Sequence, residues 1–162
     1  MIKHLAVLIA FLMTFSAPVM AQDFQKGLAA YNTDDYATAL QEWTPLAEAG
    51  DAAAQWALGA MYDNGDGLSQ DYAEAMKWFR LAAEQGSASA QSNLGFMYEG
   101  GRGVLQDNAT AHMWYNIGAA NGNELGGTAR DKIAKKMTTA AIEKAQAMAR
   151  ECMNSGYTKC EY

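Results

Sequence analysis

Residues 50–85 read GDAAAQWALGAMYDNGDGLSQDYAEAMKWFRLAAEQ, and residues 86–121 read GSASAQSNLGFMYEGGRGVLQDNATAHMWYNIGAAN. The second stretch aligns with the first at a shift of 36 residues without a gap. A constant period of this length predicts a repeat architecture. Both copies share Leu58 and Leu94, Gly59 and Gly95, Tyr62 and Tyr98, Gly65 and Gly101, Gly67 and Gly103, and Trp78 and Trp114.

The segment before these stretches carries part of the same pattern. Tyr36 and Trp43 lie 36 residues before Tyr72 and Phe79. We therefore divide this part of the chain into a partial first repeat at 22–49, a complete repeat at 50–85 and another at 86–122.

Each repeat is predicted to form two helices. Ala54, Leu58 and Met61 recur at the spacing of one helical face, and Gly65 then ends that helix, as C-terminal glycines do. Asp71 is placed to cap a second helix. The apolar positions of that second helix are Ala75, Trp78 or Phe79, and Ala83.

These residues resemble the Sel1-like repeat (SLR) family, an α-solenoid relative of the tetratricopeptide repeats. The family pattern, roughly A-x-x-x-L-G-x-x-Y-x-x-G-x-G-V-x-x-D-x-x-x-A-x-x-W-[YF]-x-x-A-A-x-x-G, is met almost completely in both central copies. The resemblance implies an all-α solenoid of stacked antiparallel helix pairs. Within such a stack we expect Gly59 and Gly95 to permit close helix approach.

The C-terminal segment, 123–162, departs from the repeat and is predicted to form a helical cap. Ala129, Ile133 and Met137 have the spacing of one helix, and Thr138 or Thr139 begins another. We expect the cap to cover the end of the last repeat. An alternative is that it docks a partner. The basic residues expected to face outward are Arg130, Lys132, Lys135, Lys136, Lys144 and Arg150.

Residues 1–21 read MIKHLAVLIAFLMTFSAPVMA, which has the basic start, apolar run and small terminal residues of a secretory signal. No cysteine adjoins the expected cleavage site, so no lipid anchor of the bacterial lipoprotein kind is predicted. We expect a periplasmic or secreted protein with no stable membrane span after signal removal. Losing Lys3 takes the formal charge from -6 to -7, which disfavours nucleic-acid binding.

The chain has two cysteines, Cys152 and Cys160, both near the C-terminus. Export would carry them into an oxidising compartment, so we predict that they form a disulfide. The pair lacks the C-x-x-C spacing of redox motifs, which favours a structural clip at the end of the cap.

The stretch DNGDG at residues 63–67 looks like part of a calcium loop, but the ligand pattern fails. If Gly67 takes the position of the obligatory glycine, Tyr62 and Ala73 occupy the first and twelfth ligand positions. We therefore predict a glycine turn and no metal. His112 is expected to pack or to lie at the surface, and the abundant methionines are expected to fill the core rather than to bind copper.

The sequence predicts no catalytic residues and no cofactor. It lacks the S-x-x-K, S-D-N and K-T-G elements of penicillin-recognising serine enzymes. Some cysteine-rich relatives of the family have been linked to penicillin binding or β-lactam hydrolysis. Those relatives carry a cysteine pair in each repeat, whereas the repeats here have none.

Positions that differ between the two copies are candidates for a binding face, because stacking explains the positions that are identical. On the first helix of each repeat they recur at i, i+4 and i+7. The aromatic members are the usual type of hot spot if first helices line a concave groove. The alternative is packing between adjacent repeats. The six candidates are Trp56, Ala60, Asp63, Ser92, Phe96 and Glu99.

Two functions remain open at this point. The first is a non-enzymatic exported module that binds an unknown protein or peptide of the cell envelope in a solenoid groove. The second is a binder or hydrolase of cell-wall fragments or β-lactams. The sequence favours the first.

Overall fold

The structure, a computed structural model, describes residues 23–160, so the predicted signal segment lies outside the described residues. Within 23–160 the backbone forms eight α-helices and no strand. They are α1 (Phe24–Tyr31), α2 (Tyr36–Glu48), α3 (Ala52–Asn64), α4 (Tyr72–Glu84), α5 (Ala88–Gly100), α6 (Asn108–Ala120), α7 (Glu124–Ala134) and α8 (Thr139–Asn154).

The predicted helix pairs are confirmed: α1 packs on α2, α3 on α4, and α5 on α6. We call α1, α3 and α5 the first helices and α2, α4 and α6 the second helices. Each second helix also packs on the next first helix, which stacks the pairs into a solenoid. The segment predicted as a partial repeat is a complete helix pair with a short first helix.

The helix ends follow from the residues that the repeat keeps. The carboxylate of Asp71 accepts hydrogen bonds from the backbone N–H groups of Ala73 and Glu74, and thereby caps the free donors at the start of α4. Gly65 ends α3 in the left-handed conformation, with φ of 80°, which glycine adopts without a steric penalty.

A glycine on each first helix faces an aromatic ring on its second helix. A Cβ on Gly59 would lie 2.6 Å from Cδ1 of Phe79, so the close approach predicted for this glycine is confirmed. Phe79 is fully buried, whereas Trp78 is only half-buried. Of the two aromatic residues considered for this apolar position, Phe79 takes the central place, because its ring lies opposite the glycine.

The turns between first and second helices join neighbouring repeats. A Cβ on Gly67 would lie 2.4 Å from Cβ of Tyr36, and a Cβ on Gly103 would lie 2.8 Å from the carbonyl oxygen of Tyr72. Both glycines also have positive φ. The second glycine of each turn therefore lets the turn lie directly against the start of the preceding second helix.

Buried glutamines bridge the second helices. Nε2 of Gln55 on α3 donates to the carbonyl oxygen of Ala47 on α2 at 3.1 Å, and Oε1 accepts from Gln85 at the end of α4 at 2.8 Å. These bonds satisfy a side chain that is only 4% exposed. The matching bonds one repeat later join Gln91 to Ala83 and Asn121.

Both C-terminal helices pack on α6, the last helix of the repeats. Helix α7 begins 36 residues after α5 and packs on α6, but α8 also packs on α6 and makes little contact with α7. Arg130 of α7 is half-buried and donates to Oδ1 of Asn116 on α6 at 3.1 Å, so its predicted outward orientation was wrong. The predicted disulfide between Cys152 and Cys160 is present.

No helix between residues 23 and 160 has the length and apolar character needed to cross a membrane.

Candidate partner-binding site

Two clefts lie among the first helices. The apolar cleft, of about 130 Å³, is lined by residues of α1, α2 and α3, and the charged cleft, of about 260 Å³, by residues of α3, α5 and the turn after α5. The apolar cleft is lined by Leu28, Tyr31, Asn32, Trp43, Trp56, Ala57 and Ala60. The charged cleft is lined by Asp63, Asn93, Phe96, Glu99, Gly100 and Arg102.

Aromatic rings form much of the apolar cleft. The rings of Tyr31 and Trp43 have centroids 5.6 Å apart, and Trp56 is half-buried beside them. The Tyr31 hydroxyl donates to Oδ2 of Asp66 at 2.6 Å, and this hydrogen bond raises the pKa of Tyr31 above its ordinary value. The cleft thus offers an apolar surface with one polar end.

The charged cleft contains an exposed aromatic ring. Phe96 is 47% exposed and packs edge-on against Tyr115, with ring centroids 5.1 Å apart. Tyr115 is fully buried, and its hydroxyl donates to Oε2 of Glu99 at 2.7 Å. Burial raises the pKa of Tyr115, and the hydrogen bond to Glu99 raises it further.

Two ion pairs lie at the charged cleft. Nη1 of Arg102 is 3.5 Å from Oδ1 of Asp63, and Nζ of Lys136 is 3.9 Å from Oε1 of Glu99. The carboxylates are the recessed partners, since the Asp63 and Glu99 side chains are 16% and 26% exposed. The Arg102 and Lys136 side chains are 50% and 62% exposed.

The structure distributes the six candidate residues over the two clefts, with one exception. Trp56 and Ala60 line the apolar cleft, and Asp63, Phe96 and Glu99 line the charged cleft. The sixth candidate, Ser92, is only 2% exposed and lies outside both lining sets, so a partner cannot reach it.

Ser92 is buried because α6 and α7 both cover it. Its Oγ lies 2.3 Å from the position that a Cβ would take on Gly118, and 2.3 Å from the same position on Gly126. The two glycines leave room for the serine side chain. Helix α7 falls outside the two aligned copies, so their comparison gave no sign of this cover.

Sequence reasoning missed several residues of both clefts. Leu28 and Tyr31 lie on α1, where the repeat pattern is weak, and Arg102 lies in the turn after α5, outside the helix face from which the candidates were taken. The period of 36 does not lead from Ala60 and Asp63 to these two residues; a shift of 32, which is the separation of Gly27 from Gly59, does. The aromatic pair Phe79 and Tyr115, each opposite a glycine, was also visible as a repeated position.

The turn at residues 63–67 uses its polar groups within the protein. Asp66 accepts hydrogen bonds from the Tyr31 hydroxyl and from the side-chain amide of Asn64. Across residues 23–160 no three His, Cys, Asp or Glu side chains group in a way that could hold a metal ion. His112 is 2% exposed, which agrees with a packing role.

Two solved structures resemble the described fold. A protective antigen present in uropathogenic Escherichia coli strains displays an SLR fold and matches 81% of this chain at 28% sequence identity and a TM-score of 0.76. A Sel1 repeat protein from Oxalobacter formigenes matches 60% of this chain at 35% identity and a TM-score of 0.58. The matched parts cover 30% and 29% of those chains, so this chain corresponds to less than a third of either.

No curated protein matches the sequence. The family model of the Sel1 repeat matches two segments of the sequence, residues 52–87 and 88–123. These segments begin with α3 and α5 and end shortly after α4 and α6. The chain thus carries two Sel1 repeats, and the solved structures that resemble it share the SLR fold.

Proposed function

We propose that this protein is an exported, non-enzymatic interaction module whose apolar and charged clefts bind a segment of a partner protein. Sel1 repeats generally act as protein–protein interaction scaffolds without catalysis. The observation that carries the proposal is Phe96, which is 47% exposed in the charged cleft, next to an apolar cleft lined by three aromatic rings.

An exposed aromatic in a cleft is suited to anchor a partner. The ring of Phe96 packs on the buried ring of Tyr115, and this contact restricts its movement before a partner binds. Covering such a ring removes apolar surface from water at little cost in side-chain entropy. Interface residues of this kind often contribute about 2 kcal/mol or more to binding.

Export is the second part of the proposal. It is supported by the disulfide between Cys152 and Cys160, because such bonds form and persist in oxidising compartments. The described residues hold no other cysteine. A partner would therefore belong to the cell envelope or to the extracellular medium.

The test is capture of a binding partner from an envelope extract by the immobilised protein and its variants. The wild type should retain a protein band, and Phe96→Ala should retain less of it. The affinity for the protein in that band should fall roughly thirtyfold. Leu105→Ala is the matched control, since Leu105 is 91% exposed and lines neither cleft. Equal capture by all three proteins would overturn the proposal, as would sustained hydrolysis of a chromogenic β-lactam by the purified protein.

A further inference from the structure

We propose that the partner segment lies extended across the two clefts, with a bulky apolar side chain in the apolar cleft and a lysine or arginine side chain in the charged cleft. This inference rests on the proposed function and names the chemistry of the ligand. It follows from two observations. One is the relative position of the two clefts, and the other is that the recessed charged groups of the charged cleft are carboxylates.

The two clefts occupy successive junctions of the solenoid. Ala60 lines the first and Phe96 the second, and these residues hold the same position in consecutive repeats. Helices that pack directly lie about 8 to 10 Å apart, and α3 and α5, which carry these residues, are not packed directly on each other. Because an extended chain advances about 3.3 Å per residue, the two anchoring side chains of the ligand should be at least about three residues apart.

The fixed charges at the charged cleft are negative. Asp63 and Glu99 are recessed, and Glu99 is held further by the neutral hydroxyl of Tyr115. The cations of Arg102 and Lys136 lie at the ends of long, exposed side chains that can rotate into solvent. Moving them away leaves two recessed carboxylates with unused acceptor capacity.

The pairing between Arg102 and Asp63 is weak. Both Asp63 oxygens lie 3.5 Å from Nη1 of Arg102, beyond the usual range of a charge-assisted hydrogen bond. The guanidinium of Arg102 also lies 5.8 Å from the centroid of the Tyr72 ring, so Asp63 is not its only contact. Arg102 thus occupies, at a long distance from Asp63, the place that a ligand cation would take.

Phe96 gives the same site a preference for a cation over a neutral polar group. Its partly exposed ring borders the carboxylates of Asp63 and Glu99 in one cleft. A guanidinium or ammonium group above an aromatic ring is attracted by the ring quadrupole. Asp66, which accepts hydrogen bonds from the neutral groups of Tyr31 and Asn64, adds a carboxylate at the polar end of the apolar cleft.

The proposal predicts opposite effects for two substitutions in one ion pair. Asp63→Asn removes a carboxylate that the ligand cation would contact, so the affinity should fall by about tenfold. Arg102→Gln removes the internal competitor, so the affinity should rise several-fold. Arg150→Gln is the control for net charge, because Arg150 is exposed on α8 and lines neither cleft.

The probe is a displayed library of random linear peptides, selected on the folded wild-type protein. Enriched peptides are then synthesised and their Kd is measured by fluorescence anisotropy on the wild type and on the variants. We expect enrichment of peptides in which an apolar residue and a Lys or Arg are separated by at least about three positions, and we expect these peptides to bind more weakly at high salt.

The outcomes separate this inference from the proposed function. Peptides rich in Asp or Glu whose binding weakens with Arg102→Gln would overturn the assigned charge, while their loss with Phe96→Ala would still support the clefts as the binding site. Peptides that bind Phe96→Ala as tightly as the wild type would overturn both proposals. Failure to select any binding peptide would also count against both.

Discussion

The ring of Tyr115 fills the space that a side chain on Gly95 would need: a Cβ at that position would lie 2.4 Å from Cδ1 of the ring. The same relationship joins Gly59 to Phe79 in the preceding pair. In the first pair Gly27 faces Trp43, where the nearest ring atom would be 2.4 Å away. Each helix pair is therefore closed by one glycine and one aromatic ring.

Gly95→Ala should destabilise the protein by about 1 to 3 kcal/mol, because the buried Tyr115 has no free space into which it can move. Urea unfolding of the variant measures the change. Gly127→Ala is the control: it also lies within a helix, and its Cβ would meet Ala119 at an ordinary 3.5 Å. It should be neutral or stabilising, because alanine favours the helix. Equal effects of the two substitutions would contradict the close contact.

Gln91→Leu should lower stability by about 1 to 3 kcal/mol, because it removes two buried hydrogen bonds and leaves their partners less satisfied. Gln91 is fully buried between Ala83 and Asn121. Gln106→Leu serves as the control, since Gln106 is exposed and makes one hydrogen bond to the Glu99 carbonyl. Similar unfolding midpoints for both variants would argue against the bridge between second helices.

Stability should fall as the pH rises above about 10, the ordinary pKa of tyrosine. The folded protein raises the pKa of Tyr115 through burial and then through Glu99, and the hydrogen bond to Asp34 raises the pKa of Tyr36 to about 12. The unfolded chain therefore loses these protons first, so alkali favours unfolding.

Thermal melting measured across this alkaline range tests the expectation. The wild type should show a falling Tm, and Tyr115→Phe should show a shallower fall, because its unfolding releases one proton fewer. Its Tm at neutral pH should already be lower, since the bond to Glu99 is lost. Parallel curves for the two proteins would show that Tyr115 does not contribute to the alkaline transition.

Removing the disulfide with Cys152→Ala and Cys160→Ser should cost about 2 to 3 kcal/mol, because the bond closes a short loop in the unfolded chain. The loss should show as a lower urea midpoint. A reducing agent should lower the midpoint of the wild type by a comparable amount and leave the variant unchanged. An unchanged midpoint in the variant would mean that α8 is held by its packing on α6 alone.

Asp66→Ala should destabilise the protein by about 1.5 to 3 kcal/mol, because Tyr31 loses a hydrogen bond to a charged acceptor. Calcium and a calcium chelator should leave the Tm of both the variant and the wild type unchanged, since the polar side chains of this turn bond within the protein. A calcium-dependent rise in the Tm of the wild type that disappears in Asp66→Ala would restore the metal interpretation.

Much of the fold could be predicted because its determinants are local in sequence and repeated. Asp71 and Gly65 mark helix ends by their own capping and backbone preferences, which do not depend on distant neighbours. The period placed Leu58 and Met61 in the core, where both are buried. The disulfide was predicted from the expected export and from the presence of two cysteines.

The other features of the fold and of the candidate site could not be predicted, because they depend on contacts between residues that the repeat does not relate. Trp78 and Phe79 are adjacent and both fit a helical stripe, so only the position of Gly59 across the pair decides which ring is central. Ser92 differs from its counterpart Trp56 because α7 covers it, not because a partner contacts it. The packing of α8 on α6 joins segments with no common motif.

The glutamine bonds between second helices have a consequence for how such a protein can change over evolutionary time. Gln55 and Gln91 fix the offset between neighbouring pairs through carbonyl and amide groups that the cleft side chains do not touch. Under the proposed function, substitutions at Ala60 or Phe96 would alter recognition while the scaffold is inherited unaltered. A lineage would then diversify its ligands without compensating changes in the stack.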